Sequence, residues 1–113
     1  MVEGICTFED WQKLDLRVAE VKEVEEIEWA DKLLKLILDV GEIGERIIAA
    51  GIKPYYNPED LKGRKIIYFS NLAPRRIKGV ESQGMLLAAS TEGHEKVVFL
   101  TPEKDIEVGS KIS

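Results

Sequence analysis

The chain contains little of the material from which most catalytic and metal centres are built. Its 113 residues include one cysteine and one histidine. A single cysteine excludes an internal disulfide and a zinc site made of cysteines. The lone histidine, His94, has no second histidine with which to form a metal site and no evident partner for a catalytic triad. We therefore expect a non-catalytic protein without a cofactor or a metal.

Long apolar runs are also missing, and we expect no secretory leader. No stretch approaches the roughly 20 apolar residues that a membrane-spanning helix needs. The first residues, MVEGICTFEDW, lack a basic segment followed by a long apolar one. We therefore expect a cytoplasmic protein with no membrane partner. The length is that of one domain, and 44% hydrophobic residues suffice for one packed core.

Acidic residues are absent from one segment of an acidic chain. The sequence has 16 basic and 21 acidic residues, a net charge of −5. Residues 62–80 nevertheless hold six bases and no acid, whereas residues 1–31 hold ten acids and three bases. Because salt screens surface charges beyond about 8–10 Å, a local basic segment can attract an anion on an acidic protein. The segment indicates either a focused anion site or solvated side chains that flank a strand.

The apolar pattern predicts a small β protein. We expect strands at 14–28, 34–40, 46–50, 65–69, 85–89 and 96–100, and a last short strand near 108–112. In the first of these, valines recur every three residues while leucines alternate with charged residues, and one long strand with a β-bulge explains both patterns. No strand–helix–strand repeat is present, which favours a small barrel or sandwich.

Two short helices complete the predicted elements. Thr7 is a candidate N-cap with Asp10 three residues later, and Phe8 and Trp11 would bury one face of the helix that follows. Asn57 with the next proline predicts a second helical turn. Residues 71–84, interrupted by proline and glycines, are expected to form a loop.

This loop carries the side chains best suited to bind an anion. Arg75 and Arg76 can hold phosphate oxygens with two hydrogen bonds each, and Lys78 can act as a point charge. Glycines in the same loop allow a backbone to approach a ligand closely. A loop of this kind beside a barrel mouth is a credible oligonucleotide site.

Three further side chains of the segment have two possible roles. Asn71 and Ser82 can hydrogen-bond a base edge or a ribose hydroxyl, and the Met85 thioether offers an apolar surface to a base. Equally, Asn71 and Ser82 can satisfy their own loop backbone, and Met85 can belong to the core. The residue types alone leave both roles open.

Three segments of the chain resemble one family. The segments are DLRV at 15–18, ADKL at 30–33 and, most specifically, NLAPRRIKGVESQGMLLAA at 71–89. They resemble the tRNA-binding OB-fold domain that occurs as the CsaA-type protein and as the C-terminal domain or β subunit of methionyl-tRNA synthetase. The resemblance covers about residues 8–112. It implies an all-β fold, a five-stranded OB-fold barrel with short helical turns, and a single domain with its barrel core at about 14–100.

The resemblance also implies a function. We expect non-catalytic, largely sequence-independent recognition of the shape of tRNA, in trans for methionyl-tRNA synthetase, with tRNA and that synthetase as partners and no DNA. The terminal extensions, 1–13 and 101–113, would form a homodimer interface. The alternative is a CsaA-like chaperone or export factor, which would need an exposed apolar patch to hold unfolded polypeptide.

The family's RNA-contacting positions fall on residues of several segments. They correspond to Lys32, Lys53, Asn71, Arg75, Arg76, Lys78, Ser82 and Met85. The hypothesis requires that the basic side chains share one face and are not buried in ion pairs. Trp29 stands where many relatives have a His-Pro-type turn; it could be a stacking platform, but we expect it to pack as a turn residue.

Overall fold

The computed structural model describes residues 4–113. Within this range the helices are α1 (Phe8–Gln12) and α2 (Pro58–Leu61), and single 3-10 turns lie at Gly41–Ile43 and Glu92–His94. The strands are β1 (Leu16–Glu26), β2 (Leu34–Asp39), β3 (Glu45–Ala50), β4 (Lys65–Phe69), β5 (Arg75–Ile77), β6 (Val80–Ser82), β7 (Met85–Leu86), β8 (Ala88–Ser90) and β9 (Val97–Phe99).

The main sheet has the strand order β3-β2-β1-β4-β7, and every neighbouring pair is antiparallel. The first half of the long strand β1 pairs with β4 and its second half with β2. The pairing with β2 shifts register between Val21 and Glu23. The predicted β-bulge is therefore confirmed. A bulge bends a strand and increases its twist, which lets β1 serve both sides of a curled sheet.

The curled sheet is nearly closed into a barrel by contacts between β3 and residues 82–83. The amide of Gln83 donates to the carbonyl of Ile47 at 2.7 Å, and the amide of Ile47 donates to Oε1 of Gln83 at 2.9 Å. The amide of Ala49 donates to Oγ of Ser82 at 3.0 Å. Two of these three bonds use side-chain acceptors, so side chains complete the seam where a backbone ladder is missing.

The barrel interior holds one apolar core. Leu34, Leu36 and Leu38 alternate along β2 and are all fully buried, as the period of two in a strand requires. Leu61 of α2 is also fully buried in this cluster. Tyr68 is buried in it too, and its hydroxyl donates to the carbonyl of Gln83. Burial raises the pKa of Tyr68 above its usual value because the charged phenolate is disfavoured in an apolar interior.

The C-terminal residues pair with the main sheet. Residues 109–112 lie along the first half of β1, where the amide of Val18 donates to the carbonyl of Ser110 at 2.9 Å and the amide of Ile112 donates to that of Leu16 at 2.8 Å. The expected last strand is reduced to a single bridge between Arg17 and Lys111. Residues 101–113 therefore contribute to the sheet as well as extending from it.

Helix α1 begins as predicted but does not bury its apolar face. Thr7 and Asp10 form the expected capping box. Phe8 is 71% exposed and Trp11 is 38% exposed, so the prediction that they are buried is wrong. They border a groove shared with Ile112. A five-residue helix with no partner on that side leaves both rings at the surface of the single chain.

The segment 71–84 is not a plain loop, which corrects the sequence-based prediction. Strands β5 and β6 form an antiparallel hairpin, the β5–β6 hairpin, joined by the two residues Lys78 and Gly79. Both have positive φ, +50° and +84°. A two-residue turn of this kind matches the twist of the strands and requires positive φ at both positions. Gly79, which the sequence predicts to interrupt the segment, is part of the turn.

Candidate nucleic-acid interface

The β5–β6 hairpin presents three basic side chains to solvent. Arg75, Arg76 and Lys78 are all exposed. Within residues 4–113, no carboxylate oxygen lies within 4.0 Å of their charged nitrogens. Arg75 pairs across the hairpin with Ser82, and Arg76 with Glu81. Since consecutive strand residues point to opposite faces, the two arginines flank the hairpin and do not stack on one side of it.

The other bases of the acid-free segment are placed elsewhere. Lys62 is 3.2 Å from Glu23, and Lys65 is 2.7 Å from Asp105. Lys65 is the first residue of β4, about 13 Å along the strand from its last residue, Phe69. The expectation that the bases of this segment share one face is therefore wrong: Lys62 and Lys65 are held in ion pairs, and the two hairpin arginines point to opposite faces.

Two lysines from other loops lie near the hairpin turn. Lys32 is exposed and borders a pocket together with Lys78. The amide of Lys53 donates to the carbonyl of Lys32 at 3.3 Å, which ties the two loops together. The Lys53 ammonium is 3.4 Å from Oε1 of Glu26, so this lysine has an ion-pair partner. The structure thus brings Lys32, Lys53 and the hairpin into one region.

The polar candidates Asn71 and Ser82 both form hydrogen bonds with the backbone of the chain itself. Ser82 is only 3% exposed; its hydroxyl accepts from the amide of Ala49 and donates to the carbonyl of Gly84, both at 3.0 Å. The Asn71 side chain accepts from the amide of Asp15 at 2.8 Å and donates to the carbonyl of Lys13 at 2.6 Å. Asn71 remains exposed, whereas Ser82 offers almost no surface to a ligand.

Met85 lies at the surface and not in the core. It is 50% exposed and, with Arg75, borders a small groove of about 80 Å³ whose remaining lining includes Ile77 and Gly84. Sequence reasoning left its location open, because an apolar residue at the start of an apolar strand more often packs inside. The β4–β7 register places Met85 opposite Phe69 and gives its side chain to the outer face.

Trp29 lies at the surface, contrary to the interpretation made from the sequence. It is 67% exposed, and its Nε1 donates to the carbonyl of Lys78 at 2.6 Å. The expectation that it packs as a turn residue is therefore wrong. No sequence signal fixed its orientation, since the contact joins residues 49 positions apart.

Comparison with known proteins decides the family. A family model described as "Putative tRNA binding domain" matches residues 16–111, most of the chain. The chain belongs to this tRNA-binding domain family. The relation predicted from the DLRV, ADKL and 71–89 segments is confirmed.

Curated relatives of the domain are much longer proteins. It is 56% identical over 107 residues to a methionine–tRNA ligase of Caldanaerobacter subterraneus, a match that covers 95% of this chain and 16% of the relative. It is 51% identical over 105 residues to the methionine–tRNA ligase of Methanococcus aeolicus, covering 93% of this chain and 15% of the relative. The domain therefore spans about one sixth of the length of these relatives.

Solved structures of similar size share the fold of the domain. A MetRS-related protein from Pyrococcus horikoshii matches with a TM-score of 0.89 and 38% identity, covering 96% of this chain and 98% of the other. The chaperone CsaA from Bacillus anthracis matches with a TM-score of 0.88 and 36% identity, covering 97% of this chain and all of the other. The predicted OB-type barrel is confirmed.

The DLRV segment of the domain has a structural role that sequence reasoning did not assign. Asp15 accepts a hydrogen bond from Nε of Arg17 at 2.7 Å, and this bond holds the pKa of Asp15 below its usual value. Nη1 of Arg17 also donates to the carbonyl of Gly109 at 3.2 Å. Arg17 therefore fastens residues 109–112 to β1 and is not part of the basic surface.

Residues 4–113 of the domain hold neither a cluster of metal ligands nor a membrane-spanning helix. No group of three or more histidine, cysteine, aspartate or glutamate side chains in this range is arranged to hold a metal ion. No helix in the same range has the length and apolar character needed to cross a membrane.

Proposed function

We propose that the chain is a non-catalytic tRNA-binding module that serves methionyl-tRNA synthetase, as its β subunit or as an appendage acting in trans. The observation that carries this is the β5–β6 hairpin, where two arginines and a lysine stand exposed without carboxylate partners among residues 4–113. The family's description and the methionine–tRNA ligase relatives support tRNA as the anion.

Phosphate contact would provide most of the affinity. Arginine and lysine side chains bind phosphate oxygens without reading the base sequence, so all tRNAs of the same shape bind alike. Weak, sequence-independent binding of tRNA by the module raises the effective concentration of tRNA at a catalytic partner. A methionyl-tRNA synthetase that holds this module would therefore reach half-maximal aminoacylation at a lower tRNA concentration.

The eight predicted contact residues divide into three roles in this proposal. The residues that would contact RNA are the exposed ones, namely Lys32, Arg75, Arg76, Lys78 and Met85. Ser82 and Asn71 position the segment through their internal hydrogen bonds. Lys53 contributes after exchanging its Glu26 partner for a phosphate.

The proposal includes a homodimer in the cytoplasm, formed through the terminal segments. Its support is the apolar surface that one chain leaves open, where exposed Phe8 and Trp11 border a groove together with Ile112, and Ile5 is also exposed. A second copy seated there would bury these side chains and would present two hairpins to one tRNA. Light scattering of the intact chain measures the mass directly, and a monomer at micromolar concentration would contradict this part.

The site assignment is tested by replacing Arg75, Arg76 and Lys78 together with alanine. Each lost phosphate contact makes the negative slope of log affinity against log salt shallower by about one. We therefore expect the slope to become shallower by up to about three, with a similar loss of affinity for all tRNAs. The control replaces Arg64, Lys96 and Lys104, exposed bases outside the hairpin, by alanine and makes the same change in net charge. Equal tRNA affinity of the two triple variants would refute the assignment.

The partnership with a synthetase needs a separate experiment. Pull-down with the tagged chain from the native lysate, with and without RNase, should recover tRNA and methionyl-tRNA synthetase. A synthetase retained after RNase treatment indicates direct protein contact, and one lost indicates a link through tRNA. Recovery of neither would contradict the proposal and would favour the chaperone alternative, in which unfolded polypeptide should be recovered instead.

A further inference from the structure

The strongest unassigned feature of the surface is the side chain of Trp29, in the loop between β1 and β2. Two-thirds of this large ring is exposed, although a tryptophan of a folded protein is normally mostly buried. The hydrogen bond from its Nε1 to the carbonyl of Lys78 fixes the edge of the indole. The ring is therefore oriented by the protein while its surface remains open to a ligand.

The loop that carries Trp29 is held in place by buried side chains and backbone hydrogen bonds. Ile27 and Ala30, on either side of it, are buried in the protein. The amide of Ala30 donates to the carbonyl of Ile27 at 3.0 Å, and the amide of Leu33 donates to that of Ala30 at 3.3 Å. Two successive turns anchored by buried side chains hold the ring in place before a ligand arrives, which lowers the entropy lost on binding.

A pocket of about 400 Å³ separates this loop from the hairpin turn, and we call it the Trp29 pocket. It is lined by Trp29, Ala30, Asp31, Lys32, Leu33, Ile77 and Lys78. Most of its surface is apolar, and its two lysines have no carboxylate within 4.0 Å among residues 4–113. Asp31 is the acidic group in the lining.

This combination matches one nucleotide that is not stacked in a helix. A flat base fits against an aromatic ring, phosphates fit against ammonium groups, and a carboxylate can accept a hydrogen bond from a base amino group. Bases inside an A-form duplex are stacked and cannot reach such a pocket, whereas those of loops and bends can.

We propose that Trp29 stacks on an unpaired base of tRNA while Lys32 and Lys78 hold the phosphates beside it. The inference rests on the proposed tRNA-binding function and adds selectivity for folded RNA with an accessible base over plain duplex RNA. The hairpin arginines supply the general phosphate contact, and the Trp29 pocket supplies the preference for RNA that has a corner or a loop.

A purely structural role of Trp29 predicts different results from two variants. Trp29→Phe keeps an aromatic surface and loses the N–H donor, whereas Trp29→Leu keeps apolar bulk and loses both. If Trp29 acted only by holding the Lys78 carbonyl, both variants would lose affinity equally. Stacking predicts that Trp29→Phe stays within about threefold of the parent and that Trp29→Leu binds tRNA roughly 5- to 100-fold more weakly.

The salt dependence separates stacking from charge loss. Stacking releases no counterions, so Trp29→Leu should shift the line of log affinity against log salt without changing its slope. Affinity for a blunt duplex RNA of similar length should be the same for this variant and the parent. Val98→Ala, which trims another exposed apolar side chain away from the pocket, should change neither measurement.

Fluorescence gives a direct observation of the contact. The chain has two tryptophans, so Trp11→Phe leaves Trp29 as the sole indole reporter. Stacking predicts quenching of this signal by tRNA that saturates with the binding curve, and little quenching by the duplex. Parent-like binding of tRNA by Trp29→Leu overturns the inference, while loss of binding in the hairpin triple variant leaves the proposed function standing. Failure of the parent to bind tRNA refutes the proposed function itself.

Discussion

Replacing Ser82 with alanine tests whether this residue acts on RNA or on the barrel. Its hydroxyl joins β3 to the segment before β7 through two internal hydrogen bonds, to Ala49 and Gly84. Removing the oxygen leaves one buried amide and one carbonyl without a partner. Each unsatisfied group costs about 1–3 kcal/mol, so we expect the free energy of unfolding to fall by about 2–6 kcal/mol.

The change is large enough to measure by thermal unfolding. For a chain of this size 1 kcal/mol corresponds to a shift in Tm of about 4 °C, which predicts a loss of about 8–24 °C by circular dichroism. Ser90→Ala is the matched control, because Ser90 is exposed on β8 and its removal should leave the Tm within about 1 °C of the parent.

Binding measurements complete the test of Ser82. At a temperature where both proteins are folded, we expect the tRNA affinity of Ser82→Ala to fall by less than that of Arg75→Ala, with an unchanged salt slope. The reasoning would be refuted by an unchanged Tm together with a loss of affinity equal to that of Arg75→Ala. That result would mean that the hydroxyl contacts RNA and does not hold the barrel.

Three further predictions follow from single residues. Gly84→Ala places a Cβ against the carbonyl oxygen of Phe69, closer than a Cβ contact allows, so urea unfolding should show a larger loss of stability than Gly79→Ala, whose Cβ meets nothing within 4 Å. The lowered pKa of Asp15 means that its ion pair stabilises the fold above about pH 4, and this stabilisation is lost as pH falls through the folded-state pKa. The Tm advantage of the parent over Asp15→Asn should therefore shrink only in acid. A constant difference in Tm down to about pH 2.5 would contradict this. Glu81→Gln removes the carboxylate opposite the second hairpin arginine and should tighten tRNA binding about two- to fivefold, less at high salt, in a filter-binding titration; no change at low salt would count against the hairpin as the site.

The main sheet was predictable because its signals are local. The spacing of valines and leucines in residues 14–28 carries both periods of a bulged strand, and the structure shifts register between Val21 and Glu23. The capping box at Thr7 is also a local signal and is confirmed. Each of these follows from backbone geometry over a few residues, which a sequence records directly.

The hairpin was missed for a local reason that can be identified. A two-residue turn with positive φ is usually marked by asparagine or aspartate before glycine, and here a lysine occupies that position. The strands on either side are only three residues long, too short for a convincing alternation. The basic residues were found as a group, but their arrangement on two opposite faces of a hairpin was not.

The composition of the site depended on contacts that no local pattern records. Trp29 meets the carbonyl of Lys78, and Lys65 meets Asp105, across 49 and 40 positions of the chain. The first contact joins a tryptophan to the basic hairpin, and the second removes a base from the candidate surface. Such pairings depend on how the barrel closes, so the sequence could identify the residue types but not the members of the surface.

The segment 109–112 has a consequence for how copies of this barrel behave toward one another. It occupies the side of β1 that β4 does not use, and three backbone hydrogen bonds hold it there. A strand left open at that position would offer its amides and carbonyls to any other extended chain, which is how sheets polymerise. Arg17, which donates to the Gly109 carbonyl, therefore helps to keep this edge of β1 covered, a structural role separate from nucleic-acid binding.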